Sequence, residues 1–385
     1  MDIIEYVTKH GDKTFLETPF NDADSFVLSQ ISYFHFNFLC EPFLYNKATQ
    51  KYYLKDLLNS EFREDVLVYQ TLMKKGLLKI IEPLRKSRRF SEIQIGNVQS
   101  VIDRKEESQF FALTYYLPNG EIYICFRGTD STLIGWKEDL NMAHLTTVPS
   151  HLKSVLYVNN VLKIEKEVPF YIGGHSKGGN LAYYAAMKMD DKHLPYLKKV
   201  YNLDGPGFKH PEEIFDKEKE KLLRSRYYKA IPASSLVGIL LHHDADAKIV
   251  RSNQIYILQH DLFSWQLDSK TCEPRYVNKR SLISRINEDT MKSFLNELDD
   301  NDKKEVADAL LEMLGGRELT VHQIALNPLQ TIKYGRYIYR TFPLEKRRKL
   351  FKVVALLIKN WAFSVVRISL RKTKPKTKKT KDKKR

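Results

Sequence analysis

Cysteine is scarce in this chain, with three in 385 residues, at Cys40, Cys125 and Cys272. An odd, widely spaced trio builds neither a disulfide framework nor a thiolate metal site, and it fits a reducing compartment. Long apolar runs are missing as well. No stretch reaches the ~20 residues that a spanning helix needs. The N-terminal residues include Asp2 and Glu5 and carry no secretory leader pattern. A cytoplasmic protein is expected, with peripheral attachment to a membrane left open. The nearest approach to a metal-ligating cluster is His242-His243-Asp244-Ala245-Asp246. Adjacent histidines in a loop point apart, so neither a metal nor a cofactor is expected. No internal repeat is visible.

What is present is enough to build a sizeable core. Hydrophobic residues make up 43% of the chain and aromatics 12%, which argues against wholesale disorder. The net charge of +16 is unevenly placed, because Arg371–Arg385 alone carries ten basic side chains and one acidic. This Lys-Thr-rich tail is expected to be disordered and to attract anionic surfaces. It has no aromatic residue to stack on bases, so any contact with nucleic acid would be non-specific. Before it, residues 344–370 read as an amphipathic helix, with Phe351, Val354, Ile358, Trp361, Val365 and Ile368 on one side. A cationic amphipathic helix leading into a polybasic run suits an anionic membrane surface. Packing of that helix on the body is the alternative.

The periodicity divides the remainder into three stretches. Residues 1–90 read as mostly helical, with Asp22 or Asp24 capping a helix that runs through Ser25–Phe34. Apolar residues recur at helical spacing from Ser60 to Leu84, and Arg85, Lys86, Arg88 and Arg89 follow as a basic turn. The pattern then changes to short apolar strands. Phe110–Leu117 and Ile122–Phe126 flank Pro118-Asn119-Gly120, a strong hairpin signal. Val168–Ile172, Val200–Leu203, Tyr227–Ile231 and Gln254–Leu258 are further strands, and helical stretches lie between several of them. That alternation marks a largely parallel sheet. From Ser281 the pattern is helical again, with amphipathic segments at Ser293–Leu298 and Lys304–Leu314 and a C-cap at Gly315-Gly316.

The chemistry centres on Gly174-His175-Ser176-Lys177-Gly178, a Gly-x-Ser-x-Gly pattern between an apolar strand and a helix-forming run. A sharp strand-to-helix corner there would stand the Ser176 hydroxyl clear of the sheet as a nucleophile. The Lys177 N–H would then point at a developing oxyanion. A second oxyanion donor is expected from the turn Arg127-Gly128-Thr129-Asp130, where Thr129 offers an N–H and a hydroxyl.

Phe126-Arg127-Gly128-Thr129, then Trp136-Lys137-Glu138-Asp139-Leu140, then Gly174-His175-Ser176-Lys177-Gly178-Gly179 resembles the class 3 lipase branch of the α/β-hydrolases. Three further stretches narrow the resemblance. They are Asn21-Asp22-Ala23-Asp24 with Leu28-Ser29-Gln30-Ile31-Ser32-Tyr33, Asn202-Leu203-Asp204-Gly205-Pro206-Gly207, and Gln259-His260-Asp261-Leu262-Phe263-Ser264-Trp265. Together they are similar to the bacterial Mbeg-like proteins, a family of unknown function. The resemblance spans roughly residues 1–270 and implies a hydrolase fold without naming a substrate. His260 follows the strand expected at Gln254–Leu258 and matches the class 3 histidine, which makes it the candidate base. His242 and His243 are its rivals, and His175 is expected to pack behind the nucleophile.

The acid departs from the class 3 pattern. Its Asp-x-Val-Pro element corresponds here to Ser234-Ser235-Leu236-Val237-Gly238, which has no carboxylate. Asp204, at the end of Val200–Leu203, is the leading candidate. Asp244 and Asp246 are alternatives, as is a Ser–His dyad without an acid.

The fold class expected is α/β, an α/β-hydrolase fold with a mostly parallel sheet flanked by helices. The expected division is a helical N-terminal segment (1–90), the hydrolase core (91–280), a helical C-terminal segment (281–343), the amphipathic helix (344–370) and the tail (371–385). The expected activity is that of a serine esterase acting on a carboxylic or lipid ester, with residues 207–226 as a lid. A non-catalytic binding protein on the same fold and a membrane-surface adaptor are the alternatives.

Overall fold

The computed structural model describes residues 1–40, 50–59, 67–68, 71, 73–242, 246–314 and 328–373. In chain order the elements are α1 (Ile3–His10), α2 (Asp22–Ile31), β1 (Tyr52–Tyr53), α3 (Leu54–Asn59), α4 (Lys74–Lys86), β2 (Gln94–Asp103), β3 (Ser108–Tyr116) and β4 (Ile122–Phe126). Next come α5 (Leu133–Asn141), α6 (Pro149–Ile164), β5 (Phe170–His175), α7 (Lys177–Lys188), β6 (Leu197–Leu203), α8 (Pro211–Ile214), α9 (Lys217–Leu223), β7 (Tyr227–Pro232) and β8 (Lys248–Val250). The chain continues into α10 (Leu282–Asn296), α11 (Asp300–Met313), α12 (Pro328–Thr341) and α13 (Leu344–Thr373).

The eight strands form one sheet in their sequence order. β1 to β4 pair antiparallel, and β4 to β8 pair parallel. The β3–β4 hairpin turns at Asn119-Gly120, where Gly120 has φ 84°. Parallel strands laid down in sequence order have a geometric consequence. Crossovers of one hand all return over the same face of the sheet. The buried clusters agree: α6, α7, α8 and α9 contribute Tyr157, Val158, Leu181, Ala185, Ile214 and Leu223 to one cluster, against Ile124, Phe126, Ile172 and Val200 of the sheet.

The opposite face would be bare without the N-terminal segment. Tyr123, Cys125, Tyr171, Tyr201 and Tyr228 project there and are covered by Phe26, Val27, Leu28 and Ile31 of α2, with α1 and α4 behind. Phe20 stacks on Tyr171 with ring centroids 4.4 Å apart. The chain from Leu262 to Leu267 joins this same cluster. Trp265 meets Phe26 edge-on at 5.1 Å, and its indole N–H donates to the Gln259 carbonyl at 2.9 Å.

Several sequence expectations need correcting. Asn21, not Asp22 or Asp24, caps α2: its Oδ1 accepts from the N–H groups of Ala23 and Asp24 at 2.8 and 3.1 Å. Asp24 closes the capping box by accepting from the Asn21 N–H. Arg89 does not belong to a solvated basic turn, because it is fully buried. Its guanidinium clasps both Asp24 oxygens, at 2.8 and 2.6 Å, and donates to the carbonyls of Lys13, Thr14, Thr18 and Pro19. Gln254–Leu258 is not a strand. The position beside β7 is taken by β8, and residues 256–260 form a 3-10 turn in which Tyr256 has φ 48°, outside the extended region. Residues 207–226 do not form a free lid either. Phe208, Ile214, Phe215 and Leu223 are buried in the cluster under α7, so the segment is a packed crossover. β2 and β8 were not foreseen. The Gly315-Gly316 cap and residues 374–385 lie outside the described residues.

At the C-terminal end, α13 packs along α10, and its Val353, Asn360, Ser364 and Ile368 are buried. Among the described residues, no helix is long and apolar enough to cross a membrane.

The Arg89–Asp24 pair is where the N-terminal layer is most exposed to a single change. Asp24→Ala would leave a guanidinium buried without its carboxylate. Chemical denaturation should show stability lowered by about 3–5 kcal/mol. A loss below about 1 kcal/mol, the range of a surface pair, would show that the pair does not hold the layer.

Candidate active site

The turn between β5 and α7 is a sharp strand-to-helix corner with Ser176 at its tip. Ser176 has φ 59° and ψ −133°, a conformation that L-residues rarely adopt. Such strain costs on the order of 1–3 kcal/mol and is held by its surroundings. The Ser176 N–H donates to the Leu203 carbonyl at 2.9 Å, tying the corner to the end of β6. Ser176 is partly exposed while the residues on both sides of it are buried. The flanking glycine at 178 is sterically required, since a Cβ there would lie 2.0 Å from the Phe126 carbonyl oxygen.

β6 is the neighbour of β5, with His175 paired to Leu203, so Asp204 leaves the sheet one strand over from Ser176. Asp204 is fully buried, and its Oδ2 lies 2.7 Å from His260 Nδ1. Its Oδ1 accepts from the Ser235 hydroxyl at 2.5 Å and the Gly238 N–H at 3.1 Å. The Ser234–Gly238 stretch, where the class 3 pattern would carry its own acid, instead supplies two donors to Asp204. A Cβ at Gly238 would lie 2.3 Å from Asp204 Oδ1, so only glycine fits this arrangement. With Nδ1 facing a carboxylate, the His260 proton sits on Nδ1 and Nε2 is left as the basic nitrogen.

His175 is not available as the base. Its Nε2 lies 2.7 Å from the His260 carbonyl oxygen and must donate to it, which leaves Nδ1 to accept from the Tyr33 hydroxyl at 3.1 Å. Burial first, and then the neighbouring His260, keep its pKa well below the ordinary histidine value. Neutral His175 thus supports the backbone of His260 from below. Tyr33 is a site residue that sequence reasoning missed, although it ends the Leu28-Ser29-Gln30-Ile31-Ser32-Tyr33 motif. It also crowds the next turn, because a Cβ at Gly128 would sit 2.3 Å from its hydroxyl and 2.9 Å from Ser176 Cβ. Gly128 therefore brings the Thr129 turn close against Ser176.

Thr129 donates its hydroxyl to Asp139 Oδ2 at 2.6 Å. The Thr129 hydroxyl is thus engaged within the protein. Asp139 Oδ1 has no hydrogen-bond partner among the described residues, and burial pushes this carboxyl up to about 6.

The Lys177 side chain does something the pattern did not suggest. Its ammonium is buried and donates to Glu138 Oε2 at 2.9 Å, and to the carbonyl and the side-chain oxygen of Gln109 at 2.7 and 2.8 Å. Burial works against the Glu138 charge, yet Lys177, the Gln109 N–H and the Ser150 hydroxyl outweigh it and hold its carboxyl below the ordinary value. The first residue of α7 is thereby pinned to α5 and β3.

The rivals lie elsewhere. Asp246 pairs with Arg224 at 2.9 Å, both well exposed, and His242 bridges to Phe208 through its backbone. His243 and Asp244 lie outside the described residues.

A mostly parallel sheet with a strained serine at the β5–α7 corner defines this chain as an α/β-hydrolase fold. Residues 84–312 match the family model described as Mbeg1-like, and the chain belongs to that family. It is also similar to the M37 lipase crystal structure, at 14% identity and TM-score 0.35, covering 57% of this chain and 70% of that one. For the Rhizomucor miehei lipase in its propeptide complex the figures are 18%, 0.29, 43% and 58%. For a fungal lipase–inhibitor complex they are 16%, 0.30, 42% and 66%. No curated protein matches the chain.

The Asp139 environment gives a pH signature. The unfolded chain releases this proton near pH ~4, while the folded protein holds it to about 6. Across that window the folded state binds more protons, so stability falls as pH rises. Thermal melting of wild type and Asp139→Asn should show the variant gaining relative to wild type through this window. Parallel curves would contradict the assignment.

Proposed function

We propose that this protein is a serine hydrolase of carboxylic or lipid esters, with Ser176 as nucleophile, His260 as base and Asp204 as acid. The observation that carries the reading is the 2.7 Å contact between a fully buried Asp204 and His260 Nδ1, at the strand end adjoining the strained Ser176.

The chemistry follows from these positions. His260 Nε2 takes the Ser176 proton as Oγ attacks the ester carbonyl carbon. The carbonyl oxygen becomes an oxyanion and is met by the N–H groups of Lys177 and Thr129. Asp204 holds the imidazole in the required tautomer and offsets the charge of the imidazolium. Collapse of the intermediate expels the alcohol, which takes the proton from His260. Water, deprotonated by the same nitrogen, then attacks the acyl-serine and releases the carboxylic acid. None of these steps calls for a metal or cofactor. Ser235 and Gly238 keep the Asp204 carboxylate aimed at His260, so the acid comes from β6 rather than from the loop after β7.

A fluorophosphonate probe tests the reading. Wild type should label, Ser176→Ala should not, and Asp204→Asn should label on the order of a thousandfold more slowly or worse. Absence of labelling in wild type, or equal labelling of Ser176→Ala, would leave a non-catalytic binding protein on a hydrolase fold. Unchanged labelling of Asp204→Asn would remove the acid and leave a Ser–His dyad.

A further inference from the structure

The run that was expected to be a buried strand is instead an apolar projection beside the site. Ile255, Tyr256, Ile257 and Leu258 are consecutive, and each is at least half exposed. The turn is not loose. Gln259 fastens its base on both sides, donating to the Gln254 carbonyl and accepting from the Ser234 N–H, each at 2.7 Å. Four large apolar side chains are thus held in water by a built structure, immediately before His260. Single exposed apolar residues need no explanation, but a contiguous set marks an interaction surface.

A second apolar surface runs along α13. This helix turns its Val353, Asn360, Ser364 and Ile368 face inward, and its stronger apolar row points away. Phe351, Ile358 and Trp361 are each more than half exposed.

The ion pairs along these two helices fix their relative direction. Lys359 meets Glu297 at 3.1 Å and Arg367 meets Asp289 at 3.2 Å, so α13 runs antiparallel to α10. The N-terminus of α10 is fastened to the site loops: Ser281 N–H donates to the Ala233 carbonyl, and the Ser284 hydroxyl donates to the Ser235 carbonyl. Ser235 in turn holds Asp204, and Ser234 holds Gln259. The C-terminal end of α13 therefore lies toward the edge of the molecule that carries the site. From that end the sequence continues into residues 374–385, with eight basic side chains and one acidic.

We infer that this edge docks on an anionic phospholipid bilayer surface. The 255–258 turn and the outward row of α13 would enter the headgroup region, and the basic C-terminal residues would meet the lipid charge. The charge decides among possible occupants. A second copy would bring another basic tail to the same edge, and nucleic acid would leave the apolar side chains without a partner. Docking does not require Ser176 to be a nucleophile. Its consequence for substrate does rest on the hydrolase reading: the ester would be a membrane lipid, reached while the protein sits on the bilayer.

Co-sedimentation of the full-length chain with phosphatidylcholine vesicles, with and without phosphatidylglycerol, tests the inference. Binding should require the anionic lipid and weaken as salt rises. Ending the chain at Thr373 should weaken it by about tenfold or more. Ile257→Asp should do the same, by about tenfold, through loss of apolar insertion. Brominated lipid should quench Trp361, and Trp361→Phe should lose that quenching while keeping the fold. Equal binding to neutral vesicles, no binding, or unaltered binding by both the truncation and Ile257→Asp would overturn the proposal. Fluorophosphonate labelling in the absence of vesicles separates the two readings. Labelling retained by Ile257→Asp shows an intact site with docking lost, and vesicle binding by a protein that never labels would end the hydrolase reading alone.

Discussion

The order of the strands governs everything else in this molecule. Because β4 to β8 follow one another in sequence and run parallel, their connecting helices gather on one side of the sheet. A sheet whose order reverses midway covers both of its faces with its own crossovers. This one does not, and half of its apolar surface must be covered by chain from elsewhere. The first ninety residues do that, so the N-terminal layer is part of the core and not an appendage to it. The covered face is aromatic: Tyr123 and Tyr171 stack on Phe20, Tyr201 meets it edge-on, and Tyr228 meets Tyr201 edge-on.

The same layer reaches the site. Trp265 is buried against Phe26 and donates to the carbonyl of Gln259, the residue before His260. Tyr33, at the end of the α2 region, supports His175, which in turn supports the His260 carbonyl. On the other face, Lys177 and Glu138 tie the start of α7 to α5. The serine corner and the histidine turn are thus held from opposite sides of the sheet, and Asp204 bridges them from the strand between. Breaking a buried pair such as Lys177–Glu138 leaves an unpaired charge, so positioning and stability depend on the same contacts.

Much of this could be read in the sequence where a local rule applied. The Asn119-Gly120 hairpin, the five apolar strands from Phe110 to Ile231 and the glycine-flanked Ser176 are each dictated within a few residues. Distant partners decided the rest. Arg89 looks like one more surface cation until four carbonyls and Asp24 are seen around it. Gln254–Leu258 has the composition of a strand, but the sheet edge was already filled by Lys248–Val250, whose three residues give almost no pattern. β2 was hidden because its polar residues face outward on an antiparallel edge and break the apolar run. The Asp204–His260 contact left a partial signal. A missing carboxylate at Ser234–Gly238 was visible in the sequence, whereas the donation of Ser235 and Gly238 to Asp204 depends on β6 and β7 lying side by side.

Arg89 carries a further lesson about which positions are free to change. Its guanidinium holds the segment between α1 and α2 by the carbonyls of Lys13, Thr14, Thr18 and Pro19, and not by their side chains. Every residue type presents that same carbonyl oxygen. The path of this segment is therefore set in part at two remote positions, 24 and 89, alongside its own buried Phe15 and Phe20. Substitution at 13 or 18 leaves those carbonyls in place, whereas Thr14 also bonds Glu17 through its hydroxyl. Side-chain identity at 13 and 18 therefore says little about how firmly the backbone there is held, since one guanidinium binds it through four carbonyls.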